Sequence, residues 1–206
     1  MHGYRPVMGL AWLASVALGL LALGAVVNAA VVWYAYAAVK AVVEGTAVAD
    51  LAVLRTIEGL RLVTGVITTI VRVTTVALFI FWFLRVRKNV KLVVAAGWPR
   101  RGRGWSMQEI WLASDPADRD LMPHLRPKNR VVTAGVVSFR VLVVANLLVG
   151  LFTATQVTIE HVFQASVAVT VTAVLAVVMA ALMSRAILVI SRRQADPAAF
   201  FHGVPA

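Results

Sequence analysis

Thirty consecutive residues, Leu10 to Val39, carry no formal charge. A helix needs about twenty apolar residues to cross the hydrocarbon core of a bilayer. Three further long apolar stretches follow, Leu62 to Leu84, Val131 to Thr155 and Ala165 to Ile190, each interrupted by a single arginine. Of the 206 residues 61% are hydrophobic, against about 45–50% in soluble domains. A chain this short has no way to bury such an excess in water. In lipid only helices and closed barrels satisfy the backbone, and these runs lack the alternation of a barrel strand. The reading is an all-α, polytopic protein with four transmembrane helices at about 10–39, 62–84, 131–155 and 165–190. These form one domain over residues 1–194, followed by a Pro- and Ala-rich flexible tail at 195–206. Asn28-Ala29-Ala30 imitates a signal-peptide cleavage site. The apolar run continues past it through Val31, Val32 and Trp33, whereas a signal core is only about 7–15 residues long, so the first run is a permanent span.

Charge sets the orientation. The loop from Arg85 to Arg130 holds eleven Lys and Arg (Arg85, Arg87, Lys88, Lys91, Arg100, Arg101, Arg103, Arg119, Arg126, Lys128 and Arg130) against Glu109, Asp115, Asp118 and Asp120. Arg192 and Arg193 anchor the end of the last span. Positive residues are retained on the cytoplasmic side, so the basic loop and both termini are expected there. The net charge of +11 would suggest nucleic acid in a soluble protein. Here most of it lies between apolar spans, where it orients the chain and meets anionic lipid headgroups. Location in a bacterial plasma membrane, with no nucleic-acid partner, follows. Trp33, Tyr34 and Tyr36, and Phe79, Phe81, Trp82 and Phe83, fall where interfacial aromatic belts belong.

Between the first two spans, Leu51, Leu54, Ile57 and Leu60 recur three apart among Asp50, Arg55, Glu58 and Arg61. That is helical periodicity with one apolar face, and it fits either extensions of the two spans beyond the membrane or an interfacial helix. Glu58 and Arg61 stand at a spacing that allows pairing. In the basic loop, Val90 to Ala96 continues the second helix and Gly97-Trp98-Pro99 ends it. Ser106 to Ala113 predicts a short amphipathic helix with Met107, Ile110 and Trp111 on one side, stopped at Asp115-Pro116. Thr155 to Gln164 reads as a short outer turn containing Glu160 and His161.

Three patches of this chain resemble a multi-span membrane family of high-GC Gram-positive bacteria, domain-of-unknown-function family 4328. Trp82, Arg85, Arg87 and Asn89 match its Trp-x-x-Arg-x-Arg-x-Asn motif after a span. Glu109, Trp111, Ala113, Ser114, Asp115 and Pro116 match a later element, and Arg192, Arg193 and Gln194 resemble the basic ending of its last helix. The family's apolar Trp- and Pro-containing central segment is missing. Its place is taken by Trp98-Pro99-Arg100-Arg101-Gly102-Arg103-Gly104-Trp105, too short and too basic to enter the membrane alone. The resemblance implies a helical membrane fold and carries no activity.

Catalytic chemistry has no constellation here. With no cysteine, thiolate catalysis and Cys-ligated metals are excluded. His2, His124, His161 and His202 are scattered, and Glu109, Ser114 and Asp115 lack a base to complete a triad. No metal, cofactor or enzymatic activity is expected. The unusual residues are Arg72, Arg140 and Arg185 inside the spans. Arg72 lies about 20 Å along the helix from Arg85, Arg140 about 15 Å from Arg130 and Arg185 about 10 Å from Arg192. An arginine at mid-span costs about 2.5–3.5 kcal/mol, and the spans contain no Asp or Glu to offset it. Arg140 and Arg185 are near enough to the headgroups to snorkel; for Arg72 this is harder. Asn28, Asn146, lipid phosphate, a folded-back Glu109 or Asp115, or another subunit's carboxylate are the available partners. Trp98, Trp105 and Trp111 form either an interfacial anchor on an anionic leaflet or a docking platform. The expected role is a non-enzymatic scaffold or accessory subunit docking a protein partner through the basic loop. The alternative is a homo-oligomeric channel or transporter for an anion or small polar solute, lined by Arg72, Arg140, Asn28 and Asn146.

Overall fold

A computed structural model of the protein describes residues 4–46, 48, 50–95, 106–114, 128–153, 159–196 and 200. Its elements are α1 (Met8–Val43), α2 (Leu51–Ala95), α3 (Met107–Ala113), α4 (Arg130–Thr153) and α5 (Ile159–Arg193). Four of them, all but α3, are long and apolar enough to cross a membrane. The 45 residues of α2 span about 68 Å at 1.5 Å per residue, over twice the hydrocarbon thickness, so this helix projects well beyond any bilayer. The amphipathic stretch 40–61 is accordingly the extended ends of α1 and α2, not a separate interfacial helix. Glu58 and Arg61 form no ion pair; Lys40 and Glu44 do, at 3.6 Å.

Local chemistry fixes the helix ends. Gly45, at φ 70°, closes α1: Thr46 N–H donates to the Ala41 carbonyl and Gly45 N–H to that of Val42, the paired bonds of a left-handed C-terminal cap. Asp50 accepts from Ala52 N–H at 2.8 Å to start α2. Asn129 accepts from Val131 N–H at 2.9 Å and Val132 N–H at 3.1 Å to start α4. Ser106 caps α3 reciprocally with Glu109. The outer turn expected at 155–164 is shorter, because Val162 and Phe163 continue the helical pattern. Glu160 therefore sits in the first turn of α5, where its charge suits the helix dipole. α2 is rich in Val, Ile and Thr yet helical, and Thr56, Thr64, Thr69 and Thr75 return their hydroxyls to carbonyls one turn back.

The long helices pack in the order α2–α1–α5–α4, with α3 lying across one end against α2, α4 and α5. The middle helices bury mainly small residues. Ala11, Ala14, Ala17 and Ala22 of α1 and Ala165, Ala173, Ala176, Ala180 and Ala186 of α5 are buried, which lets backbones approach where lipid supplies no hydrophobic drive. Gly135 of α4 is the tightest such approach. A methyl there would lie 3.2 Å from Ala186 Cβ and 3.3 Å from the Leu182 carbonyl. Gly135→Leu is expected to push α4 off α5 and cost about 1–3 kcal/mol. Gly150→Leu, into open space, should leave the unfolding midpoint in nanodiscs unchanged; equal midpoints for both variants would contradict this packing.

Burial is uneven along the row. Val86, Val90, Ile110, Val132, Ala186, Ile187 and Ile190 are fully buried together at the α3 end, while no residue of α2 from 58 to 74 is buried. Phe200, in the stretch read as a loose tail, is fully buried with its ring 6.4 Å from that of Tyr4, because an aromatic ring beside this core gains more from packing than from water. At the opposite end the rings of Trp33, Tyr36 and Phe163 pack edge-on or tilted, with centroids within 6 Å of one another, and Trp33 Nε1 donates to Thr170 Oγ1 at 2.8 Å.

Candidate functional site

The α3 end of the row gathers polar groups that are far apart in sequence. Asn89, near the end of α2, is fully buried. Its amide nitrogen donates to the Arg5 carbonyl at 2.9 Å and to Gln194 Oε1 at 3.2 Å. Its amide oxygen accepts from Arg5 N–H at 3.2 Å. Gln194, just past α5 and also fully buried, donates through Nε2 to Ser114 Oγ at 2.8 Å. Ser114 in turn donates to the Ile110 carbonyl at 2.7 Å. Tyr4 donates its hydroxyl to the backbone carbonyl of Gln194. One turn deeper, Trp82 Nε1 donates to Ser191 Oγ at 2.8 Å, both side chains fully buried. The amides of Asn89 and Gln194 thus tie the N-terminal segment, α2, α3 and α5 into one clasp. Buried polar networks of this kind are stabilising only when their members are satisfied.

The clasp holds α3 in place, and α3 presents Trp111 to the end of α5. The Arg193 guanidinium lies 3.9 Å from the Trp111 ring centroid, and its Nη1 reaches the Trp111 carbonyl at 3.4 Å. This is a cation–π contact against a largely buried ring. Trp111 Nε1, Gln108 Oε1 and Nε2 and Arg87 Nε are buried with no hydrogen-bond partner among the described residues. Around them Lys88, Lys91, Arg130 and Arg192 are exposed, and Arg85 and Arg87 are half-buried. The described part of the loop is therefore a small helix with a basic surround, not a free segment.

Burial raises the Tyr4 hydroxyl above the ordinary tyrosine value, and the nearby Asp196 carboxylate adds to the shift. A raised phenol favours the neutral form in the folded state, so its stabilisation is full below about pH 10 and is lost as pH climbs through the raised value. Hydrogen exchange in the N-terminal segment should therefore accelerate above that pH more than base catalysis alone requires. Tyr4→Phe should remove the excess; an unchanged profile in Tyr4→Phe would assign the effect elsewhere.

The other sequence-derived candidates divide clearly. Glu109 is taken up in the cap of α3: its carboxylate accepts from Ser106 N–H at 2.7 Å, and Ser106 Oγ accepts from Glu109 N–H at 3.2 Å. It does not fold back toward a span arginine. Trp98, Trp105, Asp115, Arg100, Arg101 and Arg103 lie outside the described residues. Arg72, Arg140 and Arg185 are all exposed, on α2, α4 and α5 respectively. Asn146 is exposed and donates to the Leu142 carbonyl of its own helix at 2.9 Å, while Asn28 is half-buried. Among the described residues no group of His, Asp and Glu is placed to hold a metal ion.

Sequence reasoning passed over the roles of Tyr4, Asn89, Ser191 and Gln194. The available signal was a lone Asn and a lone Gln at the ends of two apolar helices, positions where a buried amide needs partners. The three stretches containing Trp82 to Asn89, Glu109 to Ser114 and Arg192 to Gln194 converge on this clasp. No family model, curated protein or solved structure matches the chain.

Proposed function

We propose that the chain is a non-enzymatic membrane scaffold or accessory subunit that docks a protein partner through its basic loop. In this reading it sits in a bacterial plasma membrane with both termini and the loop on the cytoplasmic side, in contact with anionic lipid. The observation that carries the reading is the fastening of α3. Gln194 holds Ser114, and Arg193 covers Trp111, so α3 is a pre-ordered element. Pre-order lowers the entropic cost of docking. The resemblance to family 4328 belongs to the same reading, because its three patches include Trp82, Asn89, Ser114 and Gln194. The arrangement of the span arginines speaks for a scaffold over a transport pathway. Arg72, Arg140 and Arg185 are exposed on three different helices, and the buried faces of α1 and α5 are mainly alanine, methionine and branched aliphatic residues.

The test is native mass spectrometry of the protein extracted gently from its host membrane. A stable complex with a second polypeptide is expected. Trp111→Ala, with helicity verified by circular dichroism, should dissociate it and raise hydrogen exchange across 107–113. A spectrum containing only homo-oligomer, or monomer with lipid, sinks the reading.

A further inference from the structure

The half of α2 distant from the clasp is a helix with one neighbour and a charge it cannot satisfy. Thr68 meets Gly24 and Thr75 reaches the Ala17 carbonyl at 3.2 Å across the seam with α1. Beside that seam, Gly65, Thr69, Arg72 and Val76 are all exposed and fall on one side of the helix by their spacing of three and four. Val66, Ile67, Ile70 and Val73 around them are exposed by more than half. Arg72 has no hydrogen bond or ion pair among the described residues. It stands about 16 Å along the axis from Arg61 and about 20 Å from Arg85, at the middle of the apolar stretch and farther from either headgroup layer than an arginine side chain extends.

We infer that this face of α2 is the docking site for a transmembrane helix of another polypeptide that carries an Asp or Glu at mid-span. The inference rests on the accessory-subunit reading and adds the place and chemistry of the contact. A carboxylate at that depth matches Arg72 in charge and bidentate geometry. Gly65, with open space where a side chain would stand, lets the incoming backbone approach closely. Thr69 keeps its hydroxyl on the Gly65 carbonyl at 2.8 Å, so the surface beside Arg72 needs no further polar partner. A second copy of this chain does not fit. None of its four apolar stretches contains an Asp or Glu, and a symmetric pair would bring two Arg72 side chains together. Lipid phosphate does not fit either, because it lies at the membrane surface and Arg72 at the centre.

The test reconstitutes the full chain in zwitterionic vesicles with a labelled synthetic Leu/Ala transmembrane helix bearing Glu at its centre, and with its Leu twin. Resonance energy transfer reads association. The Glu probe is expected to associate about tenfold more tightly than the Leu probe, the scale of a strong intramembrane polar contact. Arg72→Leu should bring the ratio to about one, and Arg72→Lys should retain part of it, which a general loss of fold would not do. A ratio of one with the wild-type chain, or a preference that survives Arg72→Leu, overturns the inference. So does a nitrogen–phosphorus dipolar contact that places the Arg72 guanidinium on lipid phosphate with the probe bound. A host complex that dissociates with Trp111→Ala but survives Arg72→Leu would overturn this inference alone. Absence of any host complex would overturn the accessory-subunit reading, whatever the probe does.

Discussion

Trp82→Ala is expected to lower stability by about 3–5 kcal/mol, the largest effect of any single substitution in the described residues, as for other buried large aromatics. The indole is fully buried, packs 5.6 Å from Phe79, and holds Ser191 of α5 through Nε1 at 2.8 Å. With the Asn89–Gln194 bond it is a direct tie between α2 and the end of α5. Truncation removes the ring contacts, opens a cavity beside Val86 and Ile187, and frees the Ser191 hydroxyl. Trp82→Phe separates the two contributions: it keeps most of the volume and loses the hydrogen bond, so a cost of about 1–3 kcal/mol is expected. Unfolding in mixed detergent micelles, followed by near-ultraviolet circular dichroism, reads both. If Trp82→Ala changed stability by less than Trp82→Phe, the burial argument would be wrong.

The second large effect is expected in the clasp. Asn89→Ala leaves the buried Gln194 Oε1 without its partner, at a cost of about 1–3 kcal/mol, and unties the N-terminal segment by removing both bonds to the exposed Arg5 backbone. Gln194→Ala removes one of the two bonds made by Asn89 Nδ2 and the bond that Ser114 Oγ accepts, while Nδ2 keeps the Arg5 carbonyl and Oγ the Ile110 carbonyl. Because the two amides serve each other, the double variant should cost less than the two single costs added, with a coupling of about 0.5–3 kcal/mol. The locations should differ as well. Asn89→Ala should raise hydrogen exchange first at the N-terminal segment, Gln194→Ala first across α3. Strict additivity, or identical exchange maps, would show that the amides act independently.

Helix identity was legible because its causes are local. The uncharged run from Leu10 and the Val- and Thr-rich run from Leu62 had to be helices, since lipid offers their backbones no other partner. The spacing of Met107, Ile110 and Trp111 announced α3 and its buried side; all three are buried. The start of α5 was misplaced by several residues, because Glu160 and His161 looked like a turn although the apolar pattern runs through them. The clasp was not legible. Tyr4 and Gln194 are 190 positions apart, and Asn89 and Gln194 are 105 apart, so no periodicity or spacing connects them.

What the sequence determined by itself is the number of helices long and apolar enough to cross a membrane, since hydropathy and helix rise act residue by residue. Only the tertiary structure decided the order α2–α1–α5–α4 and the outward position of Arg72 on an edge helix. Those depend on which faces fit: Gly135 against Ala186, Trp82 against Ser191 and Asn89 against Gln194 are matches of shape and hydrogen-bonding capacity between distant segments, and they exist only once the helices have met.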